Sequence, residues 1–324
     1  MIYKINNIPL RNYGIHNGRA INSNIALAGF LNMPERIGKT HHDWSDELGT
    51  EPYVLASEIK HGGRDLQYTG YIKGDSKEDC IQRLNEFYTD INQLTDLFEF
   101  ATPWGTYNVY IKEAITGKYL QSGWAELHIT FRQPVVPITA TPPTGNSIAQ
   151  YHINNVPYTS LGAFVASVQD NFNRPQTKEA NYTAYGVEGY QVTKQAPLEI
   201  TQELYFSATD FTTLKNNVEQ LHALLASPGT KIMNVDTMER ECFNTAGFTV
   251  DSIRVMPGLC ICRVVLPLLM VGAAIPVEPE YLLDSKGNAV IDFTQFIQDP
   301  TALDFLLDSD GNKIIDNNYT NVIQ

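Results

Sequence analysis

The pentapeptide Ile5-Asn6-Asn7-Ile8-Pro9 returns in mid-chain as Ile153-Asn154-Asn155-Val156-Pro157. Each occurrence opens a region whose pattern runs strands, one helix, strands. This restatement constrains the chain more than any other feature, because it implies one folding unit laid down twice. Spacing supports it. An amphipathic segment begins at Ser76 and another at Thr209, 133 positions later, and Pro134 in Phe131-Arg132-Gln133-Pro134-Val135-Val136 and Pro267 in Val264-Val265-Leu266-Pro267-Leu268-Leu269 are also 133 apart. The two pentapeptides are 148 apart. The stretch before the helix therefore differs in length between the halves, a change that loops absorb at little thermodynamic cost.

A chain of 324 residues has the length of two domains, each able to bury its own core. Hydrophobic residues at 43% and charged residues at 18% are the values of a globular protein. The N-terminus has no basic stretch followed by an apolar one, so no secretory leader is expected. The longest apolar run, Val264 to Ile275, is too short to span a bilayer and contains Pro267. These features predict a soluble protein that folds in the cytoplasm and has no membrane segment. The formal charge is −13, and nine acidic residues against two basic ones fall within 276–324. Without a basic stripe to neutralise phosphates, direct grip on nucleic acid is not expected. Cys80, Cys242, Cys260 and Cys262 suit small buried thiols in a reducing compartment.

In the first copy, 1–138, a strand is expected over Tyr3 to Ile8, stopped by Pro9, and another over Ile25 to Leu31. A loop from Asn32 to Thr50 follows. It holds His41-His42-Asp43-Trp44-Ser45-Asp46-Glu47, imidazoles and carboxylates of the kind that bind zinc or move protons. Their spacing matches no helix-borne zinc motif, so the run reads as a solvated or contact loop anchored by Trp44. Two alternating runs, Tyr53 to Ile59 and Asp65 to Ile72, flank His61-Gly62-Gly63 and predict strand, turn, strand. Ser76 and Asp79 form a capping box for a helix over 76–98, whose apolar face is Ile81, Leu84, Phe87, Tyr88, Ile91, Leu94 and Phe98. Strands over Tyr107 to Ile111 and Trp124 to Phe131 complete the unit, with His128 on the opposite face from Leu127 and Ile129.

Residues 139–150 form a proline-bearing linker. The second copy, 151–275, follows the same plan. Tyr182 to Thr193 stands in place of the first strand pair, a strand covers Leu198 to Phe206, and a helix over 209–226 turns Phe211, Leu214, Val218, Leu221 and Leu225 inward. Strands over Lys231 to Val235, Phe248 to Val255 and Leu259 to Val271 close it. Beyond lies an acidic extension, 276–324, in which Leu282 to Asp292 returns as Leu306 to Asp316, two β-hairpins expected to dock on a neighbouring subunit. Asp308, Asp310 and Asn312 have the spacing of a calcium loop but lack its closing glutamate, so no metal is assigned. The fold class is mainly β with α: two tandem β-sandwich or barrel domains, each carrying one helix, plus C-terminal hairpins. No catalytic, cofactor-binding or metal set emerges, and the chain reads as a structural protein rather than an enzyme.

Gly63-Arg64-Asp65-Leu66-Gln67-Tyr68-Thr69-Gly70-Tyr71-Ile72-Lys73-Gly74-Asp75-Ser76, leading into the first helix, resembles a passage of tailed-phage distal tail proteins and the related tail-tube fold. In that family a small β-sandwich carries one helix and subunits join into rings. The paired copies also resemble the twin tube-like domains of baseplate hub proteins, where three chains imitate a six-fold ring. They depart from the usual distal tail protein, in which a galectin-like or other accessory domain follows the first. The resemblance implies a virion protein, assembled in the host cytoplasm as a hexamer or a pseudo-hexameric trimer. Its partners would be further copies of itself and the tail tube, hub and tape-measure proteins. DNA would pass through the lumen without specific binding, and no cofactor is implied. Strand edges and the Asn32 to Thr50 loop are the expected contacts, with Trp44, Asp46, Glu47, Arg64, Asp308 and Asp310 as candidate subunit-contact residues. The alternative is a glycan-binding or glycan-cleaving β-protein at the host surface, using Trp44, Trp104 and Trp124 as platforms and Asp43 with Glu47 as paired carboxylates.

Overall fold

The computed structural model describes residues 2–43, 50–120, 123–145, 150–173, 194–235 and 238–272, together with the backbone of strands at Thr177–Lys178, Asn181–Ala184, Val187–Tyr190, Ile275–Pro276, Tyr281–Leu283 and Ala289–Asp292. The protein is mainly β, with two α-helices among the described residues. Met1–Ile275 form one compact unit and Pro276–Gln324 another. In the latter, Tyr281–Leu283 pairs antiparallel with Ala289–Asp292, while the second C-terminal repeat, with Asp308 and Asp310, lies outside the described residues.

The first half contains β1 (Lys4–Ile5), β2 (Ile8–Pro9), a 3-10 turn (Leu10–Tyr13), β3 (Ile15–Asn17), β4 (Leu27–Ala28), β5 (His41–His42), β6 (Glu51–Pro52) and β7 (Arg64–Lys73). It continues with α1 (Lys77–Asn92), β8 (Phe98–Thr102), β9 (Gly105–Ile111), β10 (Thr116–Tyr119) and β11 (Trp124–Gln133). Its main sheet runs β2-β1-β8-β9-β11-β7-β3, with β10 added along β11 and β4 along β7.

The second half contains β12 (Tyr151–Ile153), β13 (Val156–Pro157), a 3-10 turn (Tyr158–Leu161), β14 (Ala163–Gln169), β15 (Thr177–Lys178), β16 (Asn181–Ala184), β17 (Val187–Tyr190) and β18 (Lys194–Gln195). It continues with β19 (Glu199–Ala208), α2 (Phe211–Ala226), β20 (Lys231–Val235), β21 (Met238–Phe243), β22 (Thr249–Met256) and β23 (Leu259–Met270). Its main sheet runs β13-β12-β20-β21-β23-β19-β14, with β22 along β23. The strand order is the same as in the first sheet.

The two similar pentapeptides adopt the same local structure. A strand was expected over Tyr3 to Ile8; instead β1 and β2 close a tight hairpin around Asn6 and Asn7, with φ of 45° and 67°. β12 and β13 do the same around Asn154 and Asn155, with φ of 48° and 60°. Asparagine tolerates this left-handed region, and a two-residue turn of that hand follows the natural strand twist. The first asparagine of each pair also has a second task. Asn6 Oδ1 accepts from Glu99 N at 3.0 Å on β8, and Asn154 Oδ1 accepts from Ile232 N at 2.8 Å on β20.

Both helices start on a side-chain cap. Ser76 Oγ accepts from Asp79 N at 3.2 Å, and Asp210 Oδ1 accepts from Thr213 N at 2.9 Å. The cap of α2 is therefore Asp210 rather than Thr209, because its carboxylate is the group that reaches the free amide. α1 ends at Asn92, short of the expected 98, and Phe98 opens β8. Its buried stripe is Cys80, Phe87 and Ile91, at helical spacing, and Ile81 stands 43% exposed. α2 buries Leu214, Val218, Leu221, Leu224 and Leu225. The long central strands alternate as half-buried strands should. Ala125, Leu127, Ile129 and Phe131 of β11 point into the core, as do Cys260, Cys262, Val264, Leu266 and Leu268 of β23. All four cysteines are buried free thiols.

Three further expectations are corrected. Tyr53 to Ile59 is no strand: the chain turns there, Leu55 N donates to Glu58 Oε2 at 2.9 Å, and Leu55 is 64% exposed. Only Leu27 and Ala28 of the Ile25 to Leu31 run join the sheet. Tyr182 to Thr193 does contain a strand pair, but β16 pairs with β17 and β15 with β18 in two-stranded sheets, and neither pair joins a main sheet as the first pair's β7 does.

Candidate functional site

The chain between β3 and β7, residues 18–63, is where the two halves meet. Its first part adds β4 to its own sheet and also lies along the outer edge of β22. Met33 N donates to Phe248 O at 3.0 Å, and Asn24 N donates to Ile253 O at 3.1 Å. Side chains satisfy the remaining edge groups. Asn32 Oδ1 accepts from Val250 N at 2.8 Å, Ser23 Oγ from Ile253 N at 3.2 Å, and Asn24 Oδ1 from Val255 N at 2.9 Å, while Asn24 Nδ2 donates to Val255 O at 2.8 Å. An open strand edge carries unpaired amides and carbonyls, and this segment covers those of β22.

The covering chain sits very close. Gly247 has φ 69°, and a Cβ placed on it would lie 2.1 Å from Met33 O. Only glycine fits such an approach in that conformation. Asn244, buried beside it, holds the turn by accepting from Gly247 N at 2.9 Å and donating to Gly247 O at 2.9 Å and Pro267 O at 2.8 Å.

Behind the edge lies a shared apolar seam. Trp104 and Phe211 have ring centroids 4.4 Å apart, and Phe30 touches both Tyr107 and Phe211. Lys215 Nζ donates to Trp104 O at 3.2 Å. His222, 4% exposed on α2, has Nε2 3.0 Å from Leu31 O and its ring 4.7 Å from that of Phe248. A carbonyl only accepts, so Nε2 carries the hydrogen. Burial, reinforced by the charge of Arg64, pulls the imidazole pKa down to about 3.

Of the expected contact residues, Arg64 is the one the structure describes; Trp44, Asp46, Glu47, Asp308 and Asp310 lie outside the described residues. Arg64 opens β7 and is engaged within the chain. It donates to Gln133 Oε1 at 2.9 Å and to Asn32 O at 3.3 Å, with its guanidinium 5.7 Å from the Tyr107 ring centre. Burial lowers its pKa. It therefore ties the first sheet to the segment that covers β22.

A polar groove of about 800 Å³ runs beside this junction, lined in part by Asp65, His128, Arg132, Phe248 and Asp251. Asp65 and Asp251 are held by cations. Burial raises the Asp65 pKa, but Lys112 Nζ at 2.6 Å and Arg132 Nη1 at 2.8 Å outweigh this and hold it low. Arg263 Nε donates to Asp251 Oδ1 at 2.7 Å and lowers that pKa too. His128 faces away from the core, as expected, with Nε2 3.4 Å from Glu126 Oε1. Among the described residues no three histidine, cysteine or acidic side chains gather as metal ligands. Of the aromatic platforms a sugar site would need, Trp104 is 8% exposed and packed on Phe211, so it presents no open face. Among the described residues no helix is long and apolar enough to cross a membrane.

No known family model matches this chain, and no curated protein matches it. Among solved structures it is similar to the Dit (gp 19.1) protein of phage SPP1. Identity is 10%, coverage is 83% of this chain and 96% of that one, and the TM-score is 0.32. That structure is described as a paradigm of the hub adsorption apparatus in phages infecting Gram-positive hosts.

The residues that make the junction were not visible as a set beforehand. Ser23, Asn24 and Asn32 are ordinary polar residues of a stretch without periodicity, and Gly247 is one glycine of 22. His222 carried a faint signal, being a histidine set between Leu221 and Leu224 on an apolar helix face.

Proposed function

We propose that this protein is a structural component of a phage tail, of the distal tail, baseplate or tube, built from two copies of one unit and closing into a ring with further copies of itself. The observation that carries the reading is the junction: two sheets of identical strand order, each with one helix, in which the first half covers the strand edge of the second. A unit that already packs head-to-tail on its own counterpart has the heterologous contact from which rings are made. The formal charge of −13, with no basic stripe, suits a wall past which DNA slides without adhering. Neighbours in the tail, the tube, hub and tape-measure proteins, would meet the faces of this ring. The protein would reside in the virion after assembly in the host cytoplasm.

Light scattering coupled to size exclusion and negative-stain microscopy of the purified chain test this directly. Closed rings of three or six chains are the expected result. A monodisperse monomer at high concentration, with no annular particles, overturns the proposal.

A further inference from the structure

The edge of β22 is covered from within the chain, and no described residue covers its counterpart in the first half. Lys73 N donates to Gly14 O and Ser207 N to Gly162 O, each glycine following a 3-10 turn, so Lys73 and Ser207 are equivalent. Lys73 faces Trp124 and Ser207 faces Ile261. Three residues further on, Leu127 faces Gly117 of β10, and Val264 faces Val250 of β22. Gly117 thus stands where Val250 stands. Leu120 N donates to Trp124 O, so by strand alternation Gly117 and Tyr119 turn their amides and carbonyls away from β11. Val250 N is taken by Asn32. No described residue takes the outward backbone groups of Gly117 or Tyr119, and all four residues of β10 are exposed.

The second half holds a matching surplus. In the first half, the segment that covers an edge is the chain between β3 and β7. At the same place in the second half, between β14 and β19, lies the β15 to β18 ribbon, whose strand pairs join neither main sheet. Among the described residues, then, the β22 edge is joined, the corresponding β10 edge is not, and β15 to β18 pair only with one another. The geometry points to a second copy of this chain as the occupant of the β10 edge: the paired strands β15 to β18 of one copy lie along Thr116–Tyr119 of the next, repeating between chains the contact that residues 23–33 make with β22 inside one. This is strand addition to an exposed edge. The inference rests on the ring-forming reading and names the surfaces that close the ring.

The test uses the full chain. Lys118→Cys and Thr183→Cys variants are prepared separately, mixed during assembly and oxidised, and backbone hydrogen exchange is read on unsubstituted protein in ring and monomer fractions. The expected result is a disulfide-linked pair formed by the mixture and by neither variant alone, with Gly117 and Tyr119 amides exchanging about tenfold or more slowly in rings. Replacing 177–195 by a short Gly-Ser link should leave thermal unfolding of the chain nearly unchanged and abolish assembly. Rings that form with unchanged exchange at Gly117 and Tyr119 and no mixed disulfide overturn this inference while leaving ring assembly standing. Failure of the unsubstituted chain to assemble overturns both.

Discussion

His222 gives its Nε2 hydrogen to the carbonyl of Leu31, 191 residues earlier in the chain, at 3.0 Å. That bond crosses from α2 to the segment covering β22; by itself it favours the protonated ring, but burial beside the Phe248 ring outweighs it and keeps the imidazole neutral. The charged groups nearest to it, Arg64 and His61, act in the same direction as burial, against protonation.

A pH dependence follows. The folded pKa of about 3 lies below the ordinary 6.5, so between these values the unfolded chain binds a proton that the folded one refuses. Stability from this group is fully present above 6.5 and is lost as pH falls, at about 1.4 kcal/mol per unit. Urea unfolding at pH 7.5, 5.5 and 4.5 should show the loss, and His222→Gln, which keeps a donor but does not titrate, should flatten it. Identical slopes for the two proteins would refute the assignment.

Lys231 has a signature of the same sign in the alkaline range. Its Nζ donates to the carbonyls of Ser227, Pro228 and Gly229 at 2.7, 3.2 and 2.8 Å, closing the end of α2, and burial pulls its pKa down from 10.5 to about 8. In that window the unfolded chain again holds the extra proton, so this group makes stability rise from pH 8 towards 10.5. Lys231→Met should lose that rise in denaturant titrations at pH 7.5, 9 and 10.

How much of this was legible beforehand depended on whether a feature is local. The Ser76 cap, the existence and buried faces of both helices, β7, β11, β19 and β20 stand where alternation, helical spacing and capping chemistry put them, while the end of α1 and the cap of α2 do not. Both pentapeptides form a short hairpin, yet their asparagines make its turn rather than a strand, since turn conformation rests on tolerance of positive φ and not on hydrophobic pattern. Tyr53 to Ile59 alternates like a strand but has no partner edge to pair with, and pairing decides strands. The covering of β22 was invisible because its bonds join asparagine and serine side chains to backbone more than 200 residues away.

Those asparagines should matter individually. Asn32→Ala leaves Val250 N without its acceptor, and Asn24→Ala strips both Val255 groups; each is expected to cost about 1–3 kcal/mol. Hydrogen exchange checks the mechanism as well as the magnitude. Val250 and Val255 amides should exchange faster in the double variant, with β19 amides little affected.

Gly247→Ala combines a positive φ with a Cβ set on Met33 O. The left-handed conformation alone costs about 1 kcal/mol or more, and displacing the covering chain adds to it. Thermal unfolding should fall well below that of Gly258→Ala, which has a similar φ of 76° but nothing within 4 Å of its Cβ. Equal losses at the two glycines would mean that the close approach to Met33 has no energetic weight.

The covering segment precedes its partner in synthesis by most of the chain. When Gln133 has been made, every strand of the first sheet exists, yet residues 23–33 must await Met256, about 120 residues later. At ordinary elongation rates that is on the order of ten seconds. For that interval Phe30 and Met33, both buried in the finished protein, have nothing of the second half to rest on. A nascent chain in this condition offers the same sticky strap to any neighbouring polysome product whose own β22 has just emerged. Exchange of straps between siblings on one messenger is then a kinetic hazard written into the order of translation, and slower reading of the last hundred codons would aggravate it.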